Sequence, residues 1–251
     1  MINIKSPHEI ECMRKSGAIL RDCLLFLGDR VKPGVSTKRL DEFAYDYIKR
    51  HDSTPSFLGY GGFPGSACIS INQEIIHGIP SSHRIIEEGD IVKIDVGAYI
   101  HGFHGDSANT FPVGKISDEA ARLIEATKKS FEVGVAAAEK EGARIGDIGA
   151  AVNGYVESMG YSTVRKYVGH GVGRDLHEDP SVPNYGTPGR GPRISRGMVI
   201  AIEPMVNAGG TGVLEQPDGW TVLTADGKLS AHYEHTVAIT DEGALLLTKV
   251  D

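Results

Sequence analysis

Apolar positions along the chain recur with two periods, and the changes of period divide it into elements. Ile10, Met13, Gly17, Leu20 and Leu24 fall on one helical face. Ahead of them, Ser6-Pro7-His8-Glu9 provides an N-cap serine, proline at N1 and glutamate at N3. This pattern predicts a first helix running to about Gly28. Leu40, Phe43, Ala44, Tyr47 and Ile48 form a second stripe behind the cap residue Ser36. An aromatic, glycine-rich loop, FLGYGGFPGSA, leads into two strand-like runs, CISIN and EIIHG. A long alanine-rich helix is predicted from Ser117 to about Glu141. Asp147 is expected to cap another, with Ile148, Ala151, Val152, Tyr155, Val156 and Met159 as its stripe and Gly160 as its stop. From Ser162 onward strands and loops dominate.

Between the two helical regions lies KIDVGAYIHGFHGDSANTF, Lys93 to Phe111. Two extended runs flank Gly102 to Gly105, which read as turn residues, so the segment predicts an antiparallel hairpin. Asp95 and Asp106 each interrupt strand formers. Aspartate fits poorly in strands, and a buried carboxylate needs a positive partner or a metal. In a hairpin both carboxylates can lean towards one point on the same face. Two exposed turn aspartates are the plain alternative.

A shift of 108 residues aligns Gly34 with Gly142, Leu40 with Ile148, Tyr47 with Tyr155 and Ile48 with Val156. The same shift aligns Gly89 with Gly197, Ile91 with Val199, Ile94 with Ile202 and Asp95 with Glu203. A constant offset across a helix and a later strand points to an internal duplication. The expected architecture is one α+β catalytic domain over residues 1–251. Its halves, about 1–115 and 116–251, would be related by a pseudo-twofold, with Asp95 and Glu203 facing the cleft between them.

Composition narrows the class. Apolar content of 40% and charged content of 24% describe a soluble globular chain, and a net charge of −7 argues against a broad nucleic-acid footprint. Cys12, Cys23 and Cys68 form no CxxC and leave an odd count, which suits a reducing compartment. The N-terminus lacks an apolar signal region and no run approaches a membrane span, so a cytoplasmic location is expected.

Further candidates occupy the second half. His170 and His177 lie in GHGVGRDLHEDP, Glu203 follows the apolar run MVIAI, and Glu234 precedes TVAI. Singly, these would read as structural histidines and solvent-facing glutamates. Together, Asp95, Asp106, His170, Glu203 and Glu234 offer four carboxylates and one imidazole. That charge balances two divalent cations, which carboxylates can bridge about 3.5–4 Å apart. One nitrogen among many oxygens suits Mn, Fe, Co or Zn as divalent ions better than a cysteine-type structural zinc site.

The order and spacing of these five residues resemble the dimetal site of methionine aminopeptidases. IDVGAYIHGFHGDSANTF, GHGVGRDLHEDP, VIAIEPM and DGWTV…SAHYEHTVAIT are similar to that family's motifs over essentially the whole chain. The likeness is to the short type I form, without an N-terminal zinc-binding extension. It implies the pita-bread (creatinase/aminopeptidase) fold, with two pseudo-twofold-related halves around a central metal cleft. By the family's pattern Asp95 binds one metal, His170 and Glu203 the other, and Asp106 and Glu234 bridge. His77 and His177 are then catalytic histidines outside the ligand set, and Glu203 also shuttles a proton.

The resemblance further implies a methionine pocket from Tyr60, Phe63, Cys68 and Trp220, edged by Phe57 and Leu176. Some relatives carry Cys where Phe57 stands and Phe where Leu176 stands. An aromatic, sulfur-bearing lining suits a thioether. A monovalent cation near Asn72, Glu74 and Ser230 is a further candidate. The implied substrates are nascent polypeptide N-termini with a small second residue, and the ribosome is a candidate partner of a monomeric chain. No membrane and no direct nucleic-acid role is expected. Two alternatives stay open: an Xaa-Pro peptidase of the same fold, and a non-catalytic binding protein built on it.

Overall fold

The computed structural model describes residues 1–249. Four helices carry the predicted stripes: α1 (Pro7–Gly28), α2 (Thr37–Arg50), α3 (Asp118–Ala138) and α4 (Ile145–Ser158). At the start of α1, the Glu9 N–H donates to Ser6 Oγ while the Ser6 N–H donates to the Glu9 carboxylate at 2.9 Å. Ser36 and Ser117 accept from the first turns of α2 and α3. Helix α3 ends at Ala138, before the predicted Glu141. Helix α4 corrects the expected cap, because Ile145 is already helical and Asp147 is its third residue. The Asp147 carboxylate accepts from the N–H groups of Arg144 and Gly189, each at 2.7 Å. It satisfies free N–H groups from inside the helix much as a cap does from outside.

The strands of the first half are β1 (Thr54–Pro55), β2 (Ala67–Ile71), β3 (Glu74–Ile76), β4 (Ile91–Ile100) and β5 (Phe103–Pro112). Those of the second are β6 (Ser162–Thr163), β7 (Gly169–Gly171), β8 (Glu178–Val182), β9 (Val199–Ile202) and β10 (Met205–Asn207). They continue with β11 (Val213–Glu215), β12 (Val222–Thr224), β13 (Ser230–His232), β14 (Glu234–Thr240) and β15 (Gly243–Leu246). The main sheet runs β1-β4-β5-β14-β9-β7-β8, with β2 also on β4 and β15 also on β14. Two small sheets, β13-β10-β6 and β11-β12-β3, complete the strand structure.

Hairpin β4–β5 pairs without interruption from Ile91 opposite Pro112 to Ile100 opposite Phe103. Its turn is His101-Gly102 alone, with φ of 53° and 83°. Positive φ at both positions matches the two-residue turn that follows strand twist. Gly105 is not in the turn, as the sequence suggested, but inside β5. A Cβ there would lie 2.9 Å from Ser16 Oγ, so its absence lets α1 rest on the hairpin.

Each half buries its own apolar core. Leu20, Leu27, Leu40 and Ile48 from α1 and α2 pack on Ile69, Ile94 and Val96. Leu123, Phe131, Ile148 and Val152 from α3 and α4 pack on Ile200, Ile202 and Val237. Fully burying one such side chain contributes about 1.5–3 kcal/mol. The halves meet where β5 pairs β14, so one sheet runs through both. Among the described residues no helix is long and apolar enough to cross a membrane.

Candidate metal centre

Strand register puts the acidic residues together. Cys68 on β2 faces Asp95 on β4, Asp95 faces Ala108 on β5, and Ala108 faces Glu234 on β14. Residues in one such row share a sheet face. Ala108 places only a methyl group between the two carboxylates. Asp106, two residues before Ala108, lies on the same face. Glu203 follows the end of β9, where Ile202 pairs with His235, and so comes beside Glu234. His170 sits on β7, which pairs β9. Thr236 fixes the seam between halves: its hydroxyl donates to the Asp106 carbonyl at 2.8 Å and accepts from the Asp106 N–H at 3.0 Å.

The geometry asks for a cation. Ligand atoms of Asp106, His170 and Glu234 all lie within 4.8 Å of one another. His170 Nδ1 donates to the Gly171 carbonyl at 2.8 Å, so the ring proton is on Nδ1. The Nε2 lone pair then faces Asp106 Oδ2 at 3.6 Å and Glu203 Oε1 at 3.5 Å. A lone pair against two carboxylate oxygens is repulsive. Protonating the ring does not resolve it at neutral pH, because burial, then His177, pushes His170 down to about 3. Asp95 Oδ1, Asp106 Oδ1 and Glu234 Oε1 are buried without a partner. Burial pushes Asp95 up to about 7, and burial plus neighbouring carboxylates raises Asp106, Glu203 and Glu234 well above the usual range. Leftover oxygens, a free imidazole lone pair and carboxyls that resist ionising alone fit divalent cations.

A cavity of about 260 Å³ opens over this row and is lined by all five predicted ligands. His77, His177, Tyr60, Phe57, Phe63, Cys68, Leu176 and Trp220 form the rest of its wall. Phe57, Phe63, Cys68 and Leu176 make one buried cluster, and the Phe63 and Trp220 rings meet edge-on at 5.1 Å. Tyr60 stands at the rim, 45% exposed, with its hydroxyl 2.8 Å from His177 Nδ1. The His177 ring lies 4.1 Å from that of His170. His77 directly follows β3 in the left-handed region, φ 58°, and burial, then His177, pushes it down to about 4. A wider groove of about 530 Å³ between Lys5, Arg14, Arg196 and Asp241 contains none of these groups.

One neighbour was not singled out from sequence. His232 is 2% exposed, with Nε2 3.8 Å from Glu203 and 4.0 Å from Glu234, and neither ring nitrogen has a partner. The available signal was its position two residues before Glu234 in an extended run. Around the candidate monovalent site, the Asn72 carbonyl accepts from Lys93 Nζ at 2.7 Å and from the Ser230 N–H at 3.1 Å. The Glu74 carboxylate is taken up by the Ile71 N–H and Arg84.

This curled sheet with a buried acidic centre is that of a metallopeptidase: the profile of metallopeptidase family M24 matches residues 11–241. A methionine aminopeptidase of Clostridium acetobutylicum is 56% identical over 248 residues, covering 99% of each chain. The crystal structure of a methionine aminopeptidase from Thermotoga maritima superposes with a TM-score of 0.97 at 43% identity, covering 100% of both chains. The chain therefore belongs to the methionine aminopeptidases of family M24. An Xaa-Pro dipeptidase from Bacillus anthracis, 22% identical with a TM-score of 0.79, shares the fold; this chain spans 62% of its length.

Proposed function

We propose that the protein is an aminopeptidase that removes methionine from the N-termini of new polypeptides when the second residue is small. The observation that carries this reading is the His170 lone pair aimed at two carboxylates beneath a thioether-suited wall. Asp95 would hold one divalent ion, His170 and Glu203 a second, and Asp106 and Glu234 both. Bound there, such ions supply Lewis-acid polarisation of the scissile carbonyl and an acidified water at neutral pH.

The chain's own residues do the rest. Phe57, Phe63, Cys68, Leu176 and Trp220 enclose the methionine side chain and exclude water from it. Glu203 takes a proton from the attacking water and passes it to the leaving amine. With Tyr60 O–H donating to Nδ1, His177 keeps its proton on Nε2 and can donate to the developing oxyanion. His77, neutral at pH 7 and lining the same cavity, is a second donor. The acidic row favours a free α-amino group over an acylated one, which makes the action exopeptidic. The new chain is met at the ribosome, in the cytoplasm.

Hydrolysis of Met-Ala-Ser, before and after chelation, tests the reading, with Ala-Pro-Ala as a parallel substrate. Cleavage of Met-Ala-Ser that stops on chelation and returns with metal is expected. Preference for Ala-Pro-Ala, or indifference to chelation, would overturn it.

A further inference from the structure

Lys93 is fully buried, 2% exposed, and the functional reading gives it no task. It lies on β4 two residues before Asp95, on the same sheet face and one row behind the carboxylates, about 7 Å along the strand. Its row continues the site's own layout: Ser70 faces it from β2 and Thr110 from β5. Thr110 grips β13, accepting from the His232 N–H at 3.0 Å and donating to the His232 carbonyl at 2.8 Å. Lys93 Nζ donates to the Asn72 carbonyl at 2.7 Å, and that same oxygen accepts from the Ser230 N–H. Asn72 is held in a left-handed turn, φ 55°, with its side chain tied to Asp90 and to the Ile91 N–H. Both ends of β13 are thereby anchored in the Lys93 row, immediately before Glu234.

A buried ammonium is costly unless its charge is used. Here it meets a carbonyl oxygen fixed by a strained turn, beside a chain segment that presents Glu234 and His232. We propose that Lys93 is a built-in cation: its ammonium takes the place of a monovalent ion at the Asn72 carbonyl and holds β13 in the position that presents Glu234. Lys93 is a positioning residue and touches no substrate. An ion at that oxygen would have to share it with Nζ at 2.7 Å, so the chain carries its own cation where the family resemblance implied a separate one. For its metal readout the proposal rests on the dimetal reading; its stability readout does not.

The experiment compares the chain with Lys93→Ser, which opens space for an ion, and Lys93→Met, which fills the space without charge. Mn²⁺ affinity and the thermal midpoint of the metal-free protein are measured in potassium chloride and in choline chloride at equal ionic strength. All chains are compared at one pH and one protein concentration. The unaltered chain is expected to give the same values in both salts. Lys93→Ser should bind Mn²⁺ at least about tenfold more weakly in choline and recover, saturably, with potassium, as expected when support of ligands is lost. Lys93→Met should be weakened in both salts. The proposal is overturned by an unaltered chain that itself needs potassium, by a Lys93→Ser chain with no loss, or by one that is impaired or unfolded in both salts alike. If no chain binds Mn²⁺, the dimetal reading fails, and potassium-dependent melting of Lys93→Ser still decides the role of Lys93.

Discussion

The two halves of the molecule share a frame and differ in what they mount on it. Helices α2 and α4 each have 14 residues and begin 108 residues apart, at Thr37 and Ile145. The bridge between Ser36 and Ile85 ahead of the first recurs between Arg144 and Arg193 ahead of the second. The following strands start at Ile91 and Val199, again after glycines with positive φ, Gly89 and Gly197. Asp95 and Glu203 stand at matching points of that frame. Beyond them the halves part. Strand β4 continues for ten residues and turns back to deliver Asp106, whereas β9 stops after four, at Ile202, and leaves Glu203 at its end. The first half thus supplies the aspartates and most of the apolar wall, and the second supplies His170, Glu234, His177 and Trp220. Neither half holds all five proposed ligands, so the candidate site lies on the seam between them.

The severest break of this comparison is removal of a group that serves both halves. Asp106→Ala should lower metal content and cut activity well beyond the roughly 100-fold typical of supporting residues. Asp95→Ala, which takes one ligand from the first half only, should keep partial occupancy by elemental analysis. Full activity in metal-replete Asp106→Ala protein would contradict the bridging role.

Next in size come the two histidines, one from each half. His77→Ala and His177→Ala should each lose about 10²–10³ in kcat with a smaller change in KM, as for loss of an oxyanion donor. Bound metal should stay at the unaltered level. Metal lost in step with activity would move that histidine into the ligand set.

How far the sequence revealed these assignments depended on parity. Asp95 and Asp106 could be placed on one face because an even register leaves two residues, like Gly97 opposite Asp106, in step along a hairpin. The same argument, extended one step, reaches Lys93 and His232, each two residues before a proposed ligand on extended chain. Neither stands out in sequence, because four carboxylates and one imidazole already balance two divalent ions, and that count calls for neither a lysine beside Ile94 nor a second histidine in SAHYEH. Asp147 resembles a cap in sequence because aspartate is favoured at both places; here it sits at the third helical position and accepts from the N–H of Arg144, the residue ahead of the helix. Gly105 resembled a turn residue because sequence alone does not show that α1 passes over it.

Protons sharpen the comparison further. In the metal-free protein burial holds Asp95 protonated up to about 7, and the other three carboxyls are raised as well. Cations bind the ionised forms, so binding expels protons. Apparent Mn²⁺ affinity should fall below pH 7 by up to about tenfold per pH unit for each proton displaced. Calorimetry in buffers of different ionisation enthalpy would count those protons, and a count of zero would remove the raised carboxyls from the account. The smallest expected effect is Tyr60→Phe, which deletes one hydrogen bond across the halves to His177 and should cost about fivefold in kcat, equivalent to about 1 kcal/mol.

The claim that the halves jointly hold two ions is tested most directly by counting divalent metal per chain, with Met-Ala-Ser activity followed as the ions are titrated into chelated protein. The expected result is two ions per chain in the unaltered protein and loss of at least one in Glu203→Ala, with activity rising only as the sites fill. Full activity with no bound metal, or an unchanged metal count in Glu203→Ala, would contradict it.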